Sequence, residues 1–193
     1  MDSFVLKGSV TGGMSDEEFL RFCQDNPDLR IERNSNLEII IMSPVNSLSG
    51  FYSGEVYGQL RDWNRKYKKG IVFDSSAGFT LPDRSVLSPD ASWISSESWS
   101  KLSEEEKNRF APVCPEFVVE VRSKSDHLPD LKKKMKVWIR NGAYSAWLID
   151  PIDRVVCLFT KDGKEETVED FEKKIEGEGP IAGFVLDLSL LKI

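Results

Sequence analysis

A carboxylate interrupts one of the most apolar short runs of the chain. Phe117-Val118-Val119-Glu120-Val121 follows Pro115-Glu116 and leads into the polar stretch Arg122-Ser123-Lys124-Ser125-Asp126. A run of this length and character suits a strand covered on both faces, so structure must lie on either side of its sheet. Strand alternation places Glu120 and Arg122 on one face and Phe117, Val119 and Val121 on the other. A carboxylate inside such a strand is costly unless it is paired, hydrogen-bonded or bound to a metal. Two explanations stand at this point. Glu120 either pairs with Arg122 or meets solvent at a strand end, or it belongs to a functional site.

Helices and strands alternate along the remaining chain. Ser15 with Glu18 three residues later forms a capping-box signature at a helix start, and Asn26-Pro27 ends that helix. Residues 29–33 and 37–42 read as a hairpin around Asn34-Ser35-Asn36. Residues 48–66 carry Tyr52, Val56, Gln59, Leu60 and Trp63 on one side of a helix, with Glu55 at the border of that apolar arc. Strands are expected at 71–73, 77–81 and 86–94, followed by a short acidic helical excursion over 96–108. After the central strand at 116–123, a helix over 126–141 closes on Gly142. Residues 144–149 and 154–160 suit an antiparallel hairpin, 165–178 a turn with a short strand or helix, and 184–191 a last apolar segment. The expected class is a single α/β domain with a mixed β-sheet flanked by helices. Its parts are an N-terminal helix and hairpin (1–45), a core (46–160) and a C-terminal extension (161–193).

Composition narrows the function classes. With 193 residues, 40% of them apolar, the chain can bury a substantial core. No apolar run approaches the roughly 18 residues that span a bilayer, and the first residues do not resemble a secretory signal. Three widely spaced cysteines, Cys23, Cys114 and Cys157, fit a reducing compartment better than a disulfide framework or zinc cluster, so the expectation is a cytoplasmic protein without membrane partners. The net charge of −6 argues against a general nucleic-acid coat but not against a nuclease, whose metal ligands are themselves acidic. His127 is the only histidine. This removes multi-histidine metal sites and leaves Ser-His or Cys-His chemistry only if His127 serves. A lone histidine beside a helix start is ordinarily a capping or surface residue.

The remaining chemistry converges on carboxylates and one lysine. Of the four Pro-Asp pairs, only Pro89-Asp90 lies in an expected strand, one that precedes the central strand across a single excursion. If the two strands are neighbours, Asp90 and Glu120 repel each other, and a divalent cation with oxygen ligands relieves that repulsion. The Val121 carbonyl could supply a third ligand and Glu55 a fourth. Arg122 is too basic to remove a proton but can hold a phosphate in its fork. On the following helix, Lys134 lies about 40° from Trp138 and about 60° from Leu131, whereas Lys132, Lys133, Lys136 and Arg140 lie roughly 100° or more away. Lys134 alone therefore points toward the sheet, either as a member of the site or as a lysine reaching past Trp138 to solvent.

Pro89-Asp90, Glu120-x-Arg122-Ser123-x-Ser125-Asp126, Leu131-x-x-Lys134-Met135, Asn141-Gly142 and Trp147-Leu148-Ile149-Asp150-Pro151 together resemble the Uma-two family of endonucleases, in the PD-(D/E)XK restriction-endonuclease-like superfamily. The resemblance runs from the N-terminal helix to Gly183-Phe184-x-Leu186-Asp187-Leu188. It implies a restriction-endonuclease-like fold and a Mg²⁺- or Mn²⁺-dependent endonuclease acting on DNA, with Asp90 and Glu120 as metal ligands. Glu55 would match the acid on the superfamily's first core helix. The superfamily pattern places lysine where this chain has Arg122; Lys134 would be the displaced lysine, with Lys124 as a weaker candidate. A homodimer is also implied. The alternative is a nucleic-acid-binding or structural protein that keeps the fold without turnover. DNA contact is expected on the outer face of the helix carrying Lys132 to Arg140, or through the loop at 43–50.

Overall fold

Among the described residues the alternation of apolar positions yields two large sheets that share one continuous stretch of chain, with a two-stranded sheet beside them. The computed structural model describes residues 3–6 and 13–192. The small sheet contains β1 (Ser3–Leu6), β2 (Arg30–Arg33), β3 (Ile39–Met42), β5 (Phe79–Thr80) and β6 (Val86–Leu87), in the order β1-β3-β2-β6-β5 among the described residues. The main sheet runs β11 (Glu165–Val168), β10 (Val155–Thr160), β9 (Ser145–Asp150), β8 (Phe117–Val121), β7 (Ala91–Ser95), β4 (Gly70–Asp74). Only β8 and β9 pair in parallel, which makes this sheet mixed. A parallel pair requires a crossover, and α5 (Leu128–Arg140) supplies it.

The central strand is buried throughout, as its apolar run demands. On one face Phe117, Val119 and Val121 pack with Val56, Leu60 and Trp63 of α2 (Ser47–Tyr67) and with Phe184 and Leu186 near the C-terminus. On the other, Val118 packs with Met135 and Trp138 of α5. The final pair of short strands, β12 (Lys174–Glu176) and β13 (Val185–Asp187), completes the cover over α2's face. The helix α1 (Asp16–Asp25) starts on the Ser15–Glu18 capping box and closes the small sheet through Phe19, beside Ile31, Ile39 and Val86. Two short helices, α3 (Ser96–Ser100) and α4 (Glu104–Lys107), fill the acidic excursion.

The segment expected as one strand over 86–94 is two strands in two sheets. β6 pairs with β2 and β5, whereas β7 pairs with β4 and β8. Between them lie Ser88-Pro89-Asp90, and proline cannot donate to a ladder, so pairing stops there and the chain changes sheets. β1 is a further strand that the sequence pattern did not mark. Among the described residues, no helix is long and apolar enough to cross a membrane.

Candidate active site

The break at Pro89 determines what Asp90 can do. Ala91 faces Val119 across the antiparallel β7–β8 ladder, so continuing the register sets Asp90 opposite Glu120 and Pro89 opposite Val121. Pro89 has no N–H to give to the Val121 carbonyl. The Val121 N–H instead donates to Asp90 Oδ2 at 2.8 Å. Because a strand residue's N–H and C=O point to the same side, the Val121 carbonyl is turned toward Asp90 without a ladder donor from Pro89.

Glu120 is 5% exposed and stands on the α5 face of the sheet. Its Oε1 accepts from Trp138 Nε1 at 3.1 Å and lies 2.9 Å from Lys134 Nζ. Lys134 Nζ also donates to Glu32 Oε1 at 2.9 Å, so one ammonium bridges a carboxylate from each sheet. Glu32, 4% exposed on β2, is fixed further by the Ser88 N–H at 2.8 Å. Asp90, Glu120, Val121, Lys134 and Glu32 line one cavity of about 460 Å³ between the small sheet, the main sheet and α5.

Burial sets the electrostatics. It pushes the Glu120 carboxyl up to about 7; Lys134 pulls it back, while Asp90 and Glu32 push it further up. Burial likewise raises Asp90, against the Val121 N–H, Lys134 and Arg30, which favour its charged form. For Lys134, burial disfavours the ammonium, but Glu120 and Glu32 outweigh it and hold its pKa above the usual lysine value. Lys134 is therefore a fixed cation at neutral pH.

Asp90, Glu120, Val121 and Lys134 are thus brought together, and two expected members are not. Arg122 lies just past β8 and places Nη1 2.6 Å from Asp150 Oδ2 and 2.8 Å from Asp153 Oδ2. Asp150 is fully buried and also accepts from the N–H groups of Ile152 and Asp153, so Arg122 braces the β9–β10 turn. Glu55 rides on α2, which covers the opposite face of the main sheet, and its carboxylate accepts from Gln59. Glu55 does sit at the helix edge, but the periodicity of one helix does not say which face of a sheet it will cover. His127 occupies the N-cap position of α5 without capping it, and its ring pairs with Asp130 at 3.0 Å on the surface.

Glu32 is the site residue that sequence reasoning misses. Arg30-Ile31-Glu32-Arg33 reads only as one strand of a hairpin, and local sequence carries no signal that α5 will supply a lysine to Glu32. On the outer face of α5, three of the four cations are engaged within the protein. Lys132 and Lys136 pair with Glu165, and Lys133 with Asp130.

The donor set fits a small divalent cation. No group of three His, Cys, Asp or Glu side chains is arranged for a metal among the described residues. Mg²⁺, however, needs only one or two carboxylates beside main-chain oxygen, water and phosphate. Asp90 and Glu120 are neighbouring carboxylates whose charged forms burial disfavours, and the Val121 carbonyl is turned to the same side.

The architecture is a nuclease-like α/β fold. A crystal structure described as "a putative nuclease belonging to DUF820" from Anabaena variabilis matches it with a TM-score of 0.75 at 18% identity, over 92% of this chain and 97% of that one. The family model "Uma2: Putative restriction endonuclease" matches residues 16–189, and the chain belongs to that family. No curated protein matches the sequence.

Proposed function

We propose that this protein is a metal-dependent endonuclease that hydrolyses phosphodiester bonds in DNA. The observation that carries the reading is the convergence of Asp90, Glu120 and Lys134 on the wall of one cavity. Asp90, Glu120 and the Val121 carbonyl would hold Mg²⁺ or Mn²⁺. The cation would supply charge neutralisation at the phosphate and a more acidic water. Lys134 keeps its proton, so its part is to donate to a water or phosphate oxygen and to offset developing negative charge. Trp138 fixes the Glu120 carboxylate through its indole N–H. Glu32 holds Lys134 from the far side of the cavity and thereby positions the ammonium between the sheets. Arg122 contributes by holding the strand end on which Glu120 and Val121 sit.

One observation favours a second reading, a nucleic-acid-binding protein without turnover. Lys134 is already paired with two carboxylates and must yield some of that pairing to act on substrate. Calorimetric titration with Mn²⁺ and Mg²⁺ is expected to show binding in the wild type and none in Asp90→Ala or Glu120→Ala. Supercoiled plasmid should be nicked with metal present, and Lys134→Ala should lose that activity. Metal binding without any nicking would favour the second reading, and no binding at millimolar metal would remove the first.

A further inference from the structure

Three of the four cations expected to meet DNA on α5, Lys132, Lys133 and Lys136, are paired within the protein, whereas none of those at the end of α2 is, among the described residues. Arg61, Arg65, Lys66, Lys68 and Lys69 are all exposed, and none makes an ion pair among the described residues. With Asp62 as the single acid, residues 61–69 carry a net charge of +4, which leaves −10 on the other 184 residues. Arg61, Arg65 and Lys68 follow at intervals of four and three, one ridge on a helix surface with about 6 Å and about 4.5 Å of rise between them. Lys68 ends the helix in the left-handed conformation (φ 52°).

Aromatic rings are interleaved with these charges. The Arg61 guanidinium sits 5.7 Å from the Tyr57 ring centre, and the Lys66 ammonium 5.2 Å from that of Tyr67, itself 45% exposed. Lys69 lies over Tyr67 and is anchored by the Ala182 carbonyl. The helix dipole explains cations in the last turn, Arg65 and Lys66, but does not reach back to Arg61. Cations without an ion pair, interleaved with the exposed Tyr67 and the half-buried Tyr57, are an arrangement that tracks a sugar–phosphate backbone.

We propose that the C-terminal half of α2 is a docking ridge for nucleic-acid backbone, separate from the cavity. It rests on the nuclease reading for the identity of its polyanion. α2 covers the opposite face of the main sheet from Glu120, so the ridge holds DNA outside the segment in the cavity. Its effect is to keep a long polymer near a protein whose remaining surface repels it.

The test uses the full chain with chelator present, a labelled duplex of about 60 base pairs and fluorescence anisotropy across a salt series. Neutralising the ridge in R61Q/R65Q/K68Q should weaken binding at least tenfold. It should also flatten the slope of log K against log salt by about 2.7, or about 0.9 for each phosphate that the ridge no longer neutralises. The α5 variant K132Q/K133Q/K136Q should leave both unchanged, and thermal melts should show both variants folded. Cleavage of a short oligonucleotide, too short to span ridge and cavity, should continue at the wild-type rate in the ridge variant. Unchanged affinity and slope in the ridge variant would overturn the ridge while leaving the nuclease reading intact. Ridge-dependent binding with no metal-dependent cleavage would do the reverse. Ridge-dependent binding to phosphatidylserine vesicles, with no binding to duplex, would overturn nucleic acid as the partner.

Discussion

Replacing Glu120 by glutamine should change how stability depends on pH. Burial, with Asp90 and Glu32 nearby, pushes this carboxyl up to about 7 against the 4.5 of a free glutamate. The folded protein therefore binds that proton more tightly than the unfolded chain does. The stability this contributes is complete below about pH 4.5, declines as pH rises, and is gone above about pH 7. At about 1.4 kcal/mol for each pH unit, the whole step is about 3 kcal/mol. Glu120→Gln keeps the oxygen that accepts from Trp138 and cannot ionise. Urea denaturation in chelator at pH 5 and pH 8 captures most of that step, so the stability difference should shift by about 2.5 kcal/mol between wild type and variant. Comparing the two proteins cancels the other carboxylates, many of which titrate the opposite way. Parallel pH dependence in wild type and Glu120→Gln would refute the burial argument.

Millimolar Mn²⁺ should raise the melting temperature of the wild type but not of Asp90→Ala; at a hundredfold excess over Kd the gain is about 2.7 kcal/mol, and equal gains in both would remove Asp90 from the site. Lys134→Met leaves Glu32 and Glu120 facing each other without their cation and should cost roughly 3–5 kcal/mol, most of it recovered on adding Glu32→Gln, as chemical denaturation of single and double variants will show. Arg122→Ala strands the buried Asp150 and should cost a similar roughly 3–5 kcal/mol in the same assay. Glu55→Gln should leave calorimetric metal affinity at the wild-type value, since Glu55 lies across the sheet from the cavity.

The local parts of this site were legible from sequence, and the joints between sheets were not. Burial in β8 followed from its apolar run, and the inward turn of Lys134 followed from the period of α5. Both depend on neighbours a few residues away. The Pro89 break was visible as a residue type, but a proline in an apolar run does not announce that the chain will leave one sheet for another. Glu32 and Glu55 fail for a shared reason. Each is a plausible solvated acid at its own helix or strand edge, and only the stacking of layers decides which one meets the cavity. The pairing of Lys132 and Lys136 with Glu165 was likewise out of reach, because β11 is a charged edge strand with no periodic signature.

The single ammonium that ties β2 to β8 makes the site a report on the whole fold. Glu32, Asp90, Glu120 and Lys134 come from four separate stretches of chain and two sheets. A molecule with the main sheet formed but β2 out of place would lack the partner that steadies Lys134. Such a molecule carries the acids without the geometry. On the nuclease reading proposed above, cleavage therefore requires both sheets to be in place at once.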